Sequence, residues 1–131
     1  MGFPLRPNPS AQRFCLSTGT TTATANLLDG TNPDNLVVID CIAGSYLNGA
    51  TPSNINLTLL GVDLYRFTTA AATSNSFHFD FTGGLPVWTA TNSDGVPATL
   101  VSVIISGISA TGSFCSLVVT YHHEHPSNRR L

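Results

Sequence analysis

The chain of 131 residues contains no lysine and a single glutamate, and charged residues make up only 9% of it. A typical soluble domain is about 25% charged. The few arginines cannot form a patch that neutralises several phosphates at once, so we expect no nucleic-acid partner. A net charge of −2 gives little electrostatic protection against association. The composition therefore fits a subunit of an assembly, and equally a secreted domain with a neutral surface.

Long apolar runs are also missing. No run approaches the roughly 20 residues that a membrane-spanning helix needs. The N-terminus has prolines and arginines where a signal peptide would have its apolar core, so we expect no membrane partner. The three cysteines, Cys15, Cys41 and Cys115, are an odd number without C-x-x-C spacing. This favours free thiols made in a reducing compartment over a disulfide framework.

Apolar residues alternate with polar ones in many short segments, whereas the helical spacing of three and four never persists. The densest segment is residues 100–121, whose two halves predict an antiparallel pair of strands buried at the centre of a sheet. Turn signals follow at the roughly 8–12-residue spacing of all-β domains, which predicts about seven or eight strands. The predicted fold class is all-β, either an antiparallel β-sandwich or a small β-barrel.

Prolines and small residues dominate residues 1–35, which predicts an extended N-terminal arm. Within it, residues 13–16 suit an edge strand. Residues 36–121 form the predicted β-sandwich body and residues 122–131 a C-terminal tail. An ordered arm of this composition needs a surface to lie against, and a partner chain is the simplest one.

Histidines near the C-terminus are the first candidate site. If the last strand continues past Tyr121, His123 and His125 share one face, and His78 and Asp80 from the Phe-rich strand would complete four ligands for Zn²⁺. The alternatives are a solvated tail or a ring of histidines about an oligomer axis. The H-E-H order is not a metalloprotease motif, and no nucleophile elbow or carboxylate pair is present. We therefore expect a protein that is not an enzyme and needs no cofactor.

Aromatic side chains are the second candidate site. Trp88, Tyr46 and Tyr65 would stack on a sugar if their rings stood on one face of a sheet. The alternative, which we favour, is that Trp88 closes one end of the sandwich.

The arrangement of Pro/Thr/Ala-rich arm, β-rich body and short tail, with few charges and no catalytic set, resembles the tailed-phage capsid decoration, or cement, proteins. The resemblance implies a non-enzymatic protein of the virion, located on the capsid surface and made in the host cytoplasm. Its implied partners are the major capsid protein and further copies of itself in a homotrimer. By position in the chain, shell binding falls to the arm and its residues Phe3, Leu5, Arg6, Arg13 and Phe14.

Two other functions stay open at this point. One is a carbohydrate-binding β-sandwich module of a tail or surface protein, built on the aromatic set. The other is a metal-dependent enzyme built on the histidine set.

Overall fold

The computed structural model describes residues 12–27, 36–87 and 101–124. These residues form eight strands: β1 (Arg13–Gly19), β2 (Ala23–Asn26), β3 (Leu36–Leu47), β4 (Ser53–Leu59), β5 (Val62–Thr69), β6 (Ser74–Val87), β7 (Ser102–Ser106) and β8 (Phe114–Glu124). None of the described residues belongs to a helix that is long and apolar enough to cross a membrane.

The strands form two four-stranded antiparallel sheets. Sheet 1 has the order β1-β8-β3-β6 and sheet 2 the order β2-β7-β4-β5. The two sheets pack face to face, and no strand of one is hydrogen-bonded into the other within the described residues. The predicted all-β fold is confirmed, and it is a β-sandwich rather than a closed barrel.

The core lies between the sheets and is filled by alternate residues of the central strands, as the period-2 pattern predicts. Fully burying one such aliphatic side chain is worth about 1.5–3 kcal/mol. The residues with no exposed surface include Ile39 and Ile42 of β3, Ile55 and Leu57 of β4, Val103 and Ile105 of β7, and Leu117 and Val119 of β8.

The predicted pairing of the two halves of residues 100–121 is wrong. β7 lies in sheet 2 between β2 and β4, whereas β8 lies in sheet 1 between β1 and β3. The segment 107–113 crosses from one sheet to the other, so the two strands face each other across the core. Both are central strands, as expected, but each is central in a different sheet.

Asn48, at the end of β3, holds the crossing segment in place. Its Oδ1 accepts a hydrogen bond from the Ser109 N–H (3.0 Å) and one from the Ser53 hydroxyl (2.9 Å). Its Nδ2 donates to the Thr51 carbonyl (3.0 Å) and the Ala70 carbonyl (2.9 Å). One side chain, 1% exposed, thereby joins three connections at the same end of the sandwich.

β4 and β5 form a tight hairpin, one of the two arrangements that the sequence allows. Leu59 pairs with Val62, and the two residues between them, Leu60 and Gly61, have φ angles of 50° and 80°. Positive φ at both central positions is the pattern of a type I′ turn, whose twist matches that of the flanking strands.

The boundary of the predicted arm needs correction. β1 pairs along its length with β8, and β2 pairs with β7, so residues 13–26 belong to the sandwich. The edge strand expected at residues 13–16 continues to Gly19. β8 likewise runs through the start of the predicted tail to Glu124. Residues 1–11 and 125–131 lie outside the described residues.

Candidate functional site

The candidate functional side chains lie on the outer face of sheet 1, the face turned away from sheet 2, and do not belong to the core. Residues directly opposite each other in neighbouring strands share a face. Across the sheet from β1 to β6, one row of this face reads Phe14, Thr120, Cys41, Asp80. The next row reads Leu16, Val118, Ala43, His78. The face is therefore apolar at the β1 edge and rich in metal-ligand side chains at the β6 edge.

The apolar part is well exposed. Phe14 is 72% and Leu16 is 67% exposed, and both stand on the edge strand β1. Phe114 and Leu47, which are directly opposite each other in β8 and β3, add exposed apolar surface at one end of the same face. We call Phe14, Leu16, Leu47 and Phe114 the apolar patch. A polar row of Thr18, Ser116 and Ser45 separates the Phe14/Leu16 pair from the Leu47/Phe114 pair. The adjacent, strongly exposed Phe14 and Leu16 are the part of this surface that is typical of an interaction site.

The ligand-rich part is a cluster of three side chains from two strands. Cys41 of β3 pairs directly with Asp80 of β6, and His78 lies two residues before Asp80 on the same face. The Cys41 thiol, one imidazole nitrogen of His78 and one carboxylate oxygen of Asp80 all lie within 4.8 Å of one another. Cys41 is half-buried, and the other two side chains are exposed.

A bulge brings a second carboxylate to this cluster. The pairing of β3 shifts between Ile39 and Cys41 on both sides of the strand, so Asp40 is the extra residue. Burial raises the pKa of the Cys41 thiol, and the negative charges of Asp80 and Asp40 raise it further. A thiol with a raised pKa is the reverse of an activated nucleophile, because nucleophilic cysteines need a depressed pKa. The surroundings of Cys41 therefore do not activate its thiol as a nucleophile.

His122 lies on the same outer face, between two carboxylates. Its Nδ1 is 2.8 Å from Asp40 Oδ2, and its Nε2 is 2.5 Å from Glu124 Oε2. Burial alone would lower the pKa of His122, but the hydrogen bonds and charges of Asp40 and Glu124 outweigh burial and raise it. Only the protonated imidazole can donate to both carboxylates at once. His122 in its charged form thus ties β8 to β3 beside the bulge.

Of the predicted shell-binding residues, the structure describes two. Phe14 is in the apolar patch, and Arg13 begins β1 close to Tyr121 on the core side. Phe3, Leu5 and Arg6 lie outside the described residues.

The four predicted metal ligands are not brought together. His78 and Asp80 stand side by side on the outer face, as expected. His123 is buried on the opposite face, where its ring meets Tyr121 edge-on at 5.7 Å. In the sheet, His123 pairs with Val37, and Val37 pairs with Val87 of β6. Val87 is seven residues beyond Asp80, so His123 is also far along the strands from His78 and Asp80. His125 lies outside the described residues.

The predicted aromatic platform is also not assembled. Tyr46 is buried, and its hydroxyl bonds the Thr69 hydroxyl at 2.8 Å. Tyr65 is exposed but packs against Phe67 and Phe79, with centroids 4.7 and 5.5 Å away, along the open side of the sandwich between β5 and β6. Trp88 lies outside the described residues. Tyr46 is therefore not available to stack on a sugar.

Sequence reasoning missed Cys41, Asp40 and His122. On the sequence alone, Cys41 is predicted only to be one of three free thiols. The available signal was the polar neighbour: an aspartate inside Leu36–Ile42 breaks the apolar pattern of a central strand. In the structure this aspartate is the extra residue of a bulge, and bulges are over-represented next to active sites.

Comparisons with known proteins show no family. No family model and no curated protein matches the chain. A solved structure of a Bacillus endospore appendage, one of a family of disulfide-linked pili, is 16% identical with a TM-score of 0.40, covering 93% of this chain and 96% of that one. A chain in the structure of infectious bursal disease virus, Gx strain, is 16% identical with a TM-score of 0.32, covering 86% of this chain and 30% of that one. At TM-scores this low, neither similarity carries an argument about function.

Proposed function

We propose that this protein is a non-enzymatic structural subunit that docks onto a neighbouring protein through the outer face of sheet 1. The observation that carries the proposal is the exposure of Phe14 and Leu16, 72% and 67%, on the edge strand of that face. Large apolar side chains at this exposure are best explained by a partner that covers them.

The backbone of β1 supports the same conclusion. Within the described part of the chain, β1 pairs only with β8, and its other side has no strand partner there. Natural edge strands usually carry charges, bulges or prolines that prevent further pairing. In β1 the only charged residue is Arg13, at its first position. A partner strand added to β1 would satisfy the backbone and cover the apolar side chains together.

The finer proposal is a phage capsid decoration protein, located on the virion surface, with the major capsid protein as its partner and a homotrimer as its assembly. Its support is the order of the chain: the Pro-rich residues 1–11, with Phe3 and Leu5, directly precede β1. A shell strand that pairs with β1 and an arm that binds the shell would form one continuous contact. The low charge of the chain is compatible with such a contact.

The test is a pair of variants with matched exposure. The double variant Phe14→Thr/Leu16→Thr keeps strand-forming residues but removes the apolar surface. The control is Val62→Thr, since Val62 is 66% exposed on β5, in the other sheet. Binding is measured by co-sedimentation with shells of a co-expressed major capsid protein, and self-association by light scattering over a range of concentrations.

Losing two side chains, each worth about 1–2 kcal/mol at this exposure, should weaken docking roughly 100-fold. The control should dock like the wild type. If the double variant docks as well as the wild type, the outer face is not the docking surface. If deletion of residues 1–11 leaves shell binding intact, the arm does not contribute and the finer proposal fails.

Glycan binding is the second candidate, and a groove near the apolar patch favours it. The groove has a volume of about 500 Å³ and combines the half-exposed ring of Phe114 with hydroxyl and amide groups, among them Ser45, Asn75 and Ser76. Rings next to hydrogen-bonding groups suit a sugar. A glycan screen on the wild type and Phe114→Ala tests it. Binding that depends on Phe114, without shell binding, would replace the decoration proposal.

A further inference from the structure

The geometry points to a metal site on this protein: Cys41, His78 and Asp80 bind a divalent transition-metal ion of the Zn²⁺ class. This ligand set differs from the one expected from the sequence, because a thiol of β3 replaces the histidines of the C-terminal segment. The site does not depend on the docking proposal, since all three ligands belong to one chain.

The positions of the three side chains carry the inference. A tetrahedral Zn²⁺ with bonds of about 2.0–2.3 Å holds its ligand atoms about 3.3–3.6 Å apart. The three donor atoms already lie within 4.8 Å of one another. Since His78 and Asp80 are exposed, changes of rotamer are enough to close the remaining distance. The backbone already brings the ligands near each other, because the direct pairing of Cys41 with Asp80 places their Cβ atoms close together.

The chemistry of the donors selects the class of metal. A thiolate and an imidazole are soft or intermediate ligands, which favour Zn²⁺ and its neighbours over Mg²⁺ or Ca²⁺. Three protein ligands leave a fourth position for water, the arrangement of an open zinc site.

The charges around the site favour a cation. The carboxylates of Asp80 and Asp40 both act on the Cys41 thiol. The two arginines in the described residues are occupied elsewhere: Arg66 pairs with Asp63 at 2.8 Å, and Arg13 lies near Tyr121. Asp40 is already paired with protonated His122 at 2.8 Å. No arginine of the described part of the chain pairs with Asp80, so a bound divalent ion would neutralise that carboxylate.

The other two cysteines provide natural controls. Cys15 and Cys115 stand on the core side of sheet 1, because they pair with Val119 and Gly19 on the buried face. Cys41 stands on the outer face. All three are free thiols in the structure, so a metal–thiolate signal can be assigned to one of them by substitution.

The experiment is titration of the full chain, stripped of metal and kept reduced, with Co²⁺ and then Zn²⁺. Co²⁺ bound to a thiolate gives a charge-transfer absorption band, and Zn²⁺ displaces it. Calorimetry with Zn²⁺ gives the affinity. The variants are Cys41→Ser, His78→Gln and Asp80→Asn, with Cys15→Ser as the matched control and circular dichroism to confirm folding.

We expect the thiolate band in the wild type and Cys15→Ser, and no band in Cys41→Ser. Losing an outer-shell partner of a metal ligand costs roughly 10–100-fold in affinity, so loss of His78 itself should cost at least about 100-fold. The proposal is overturned if the wild type gives no thiolate band, if Cys41→Ser keeps it, or if Mg²⁺ binds as tightly as Zn²⁺. It is also overturned if His125→Ala abolishes Zn²⁺ binding while Cys41→Ser preserves it.

Discussion

Replacing Asn48 by alanine should be among the most damaging single changes to the stability of this fold. The amide uses its full hydrogen-bonding capacity: Nδ2 donates two bonds at 2.9 and 3.0 Å, and Oδ1 accepts bonds at 2.9 and 3.0 Å with the Ser109 hydroxyl as a further donor at 2.8 Å. At about 1 kcal/mol net for each bond, the loss comes to about 4 kcal/mol. A domain of this kind has only about 5–15 kcal/mol of stability in total.

The measurement is urea unfolding followed by circular dichroism. A loss of about 4 kcal/mol at an m-value of about 2 kcal/mol per molar lowers the midpoint by about 2 M. The control is Asn54→Ala, because Asn54 is exposed and its Oδ1 accepts one bond from Thr68 at 3.2 Å. That change should cost less than about 0.5 kcal/mol.

A second variant tests the donors separately. Asn48→Asp keeps the shape and the acceptor oxygen but turns a carboxylate oxygen towards two backbone carbonyls. We expect it to be no more stable than Asn48→Ala at neutral pH, and to recover part of its stability in acid, where the carboxyl is protonated and donates. If Asn48→Ala costs less than about 1 kcal/mol, or no more than Asn54→Ala, the reasoning about the three joined connections is refuted.

Three further changes test other parts of the fold. His122 has a raised pKa, so its contribution to folding stability is fully present below about pH 6.5 and is lost as the pH rises through the folded pKa. Between about pH 6 and 8 the stability advantage of the wild type over His122→Gln should therefore shrink. A constant difference would contradict the ion pair with Asp40. Leu60→Gly should raise the thermal midpoint and add about 1 kcal/mol to the free energy of unfolding, because Leu60 has a strained positive φ of 50°. A lowered midpoint would mean that the contacts of the Leu60 side chain outweigh this backbone strain. Gly107→Ala should destabilise the fold by at least about 2 kcal/mol in urea unfolding, because the residue has a φ of +88° and an added Cβ would lie 2.4 Å from the Asn54 carbonyl oxygen; wild-type stability would show that this connection can adjust.

The predicted fold class was correct because alternation depends only on burial. In β7, Val103 and Ile105 are buried and their neighbours are only partly buried, a pattern that is the same whether the strand pairs with β8 or packs against it. The pairing itself is a long-range property, so local pattern could not decide it. The seven residues between the two strands were a usable clue, since hairpin loops are commonly two to five residues long.

The first two strands were assigned to the arm for a different reason. β2 buries Ala23 and Ala25 against β7, and alanine gives a weak apolar signal in a Thr-rich segment. The small side chains suit positions where strands approach closely, which composition alone does not reveal.

The candidate site was only half predictable. His78 and Asp80 are neighbours on one strand face, and period-2 spacing identifies such pairs directly. Cys41 joins them only through the register of β3 against β6. The carboxylate of Asp40 reaches the same face only because of the bulge. Register and bulges between strands some forty residues apart are set by the whole sandwich.

The strand order also has a consequence for biosynthesis. Among neighbours in the two sheets, only β4 and β5 are consecutive in the chain. β8, the last of the described strands, lies between β1 and β3, two of the first three. Until the ribosome has synthesised β8, β1 lacks its strand partner in sheet 1, and its apolar side chains stay exposed. Long-range pairings of this kind slow folding and prolong exposure to other chains. We therefore expect yield of folded protein in the cell to depend on chaperone capacity and on the speed at which the final strand is translated.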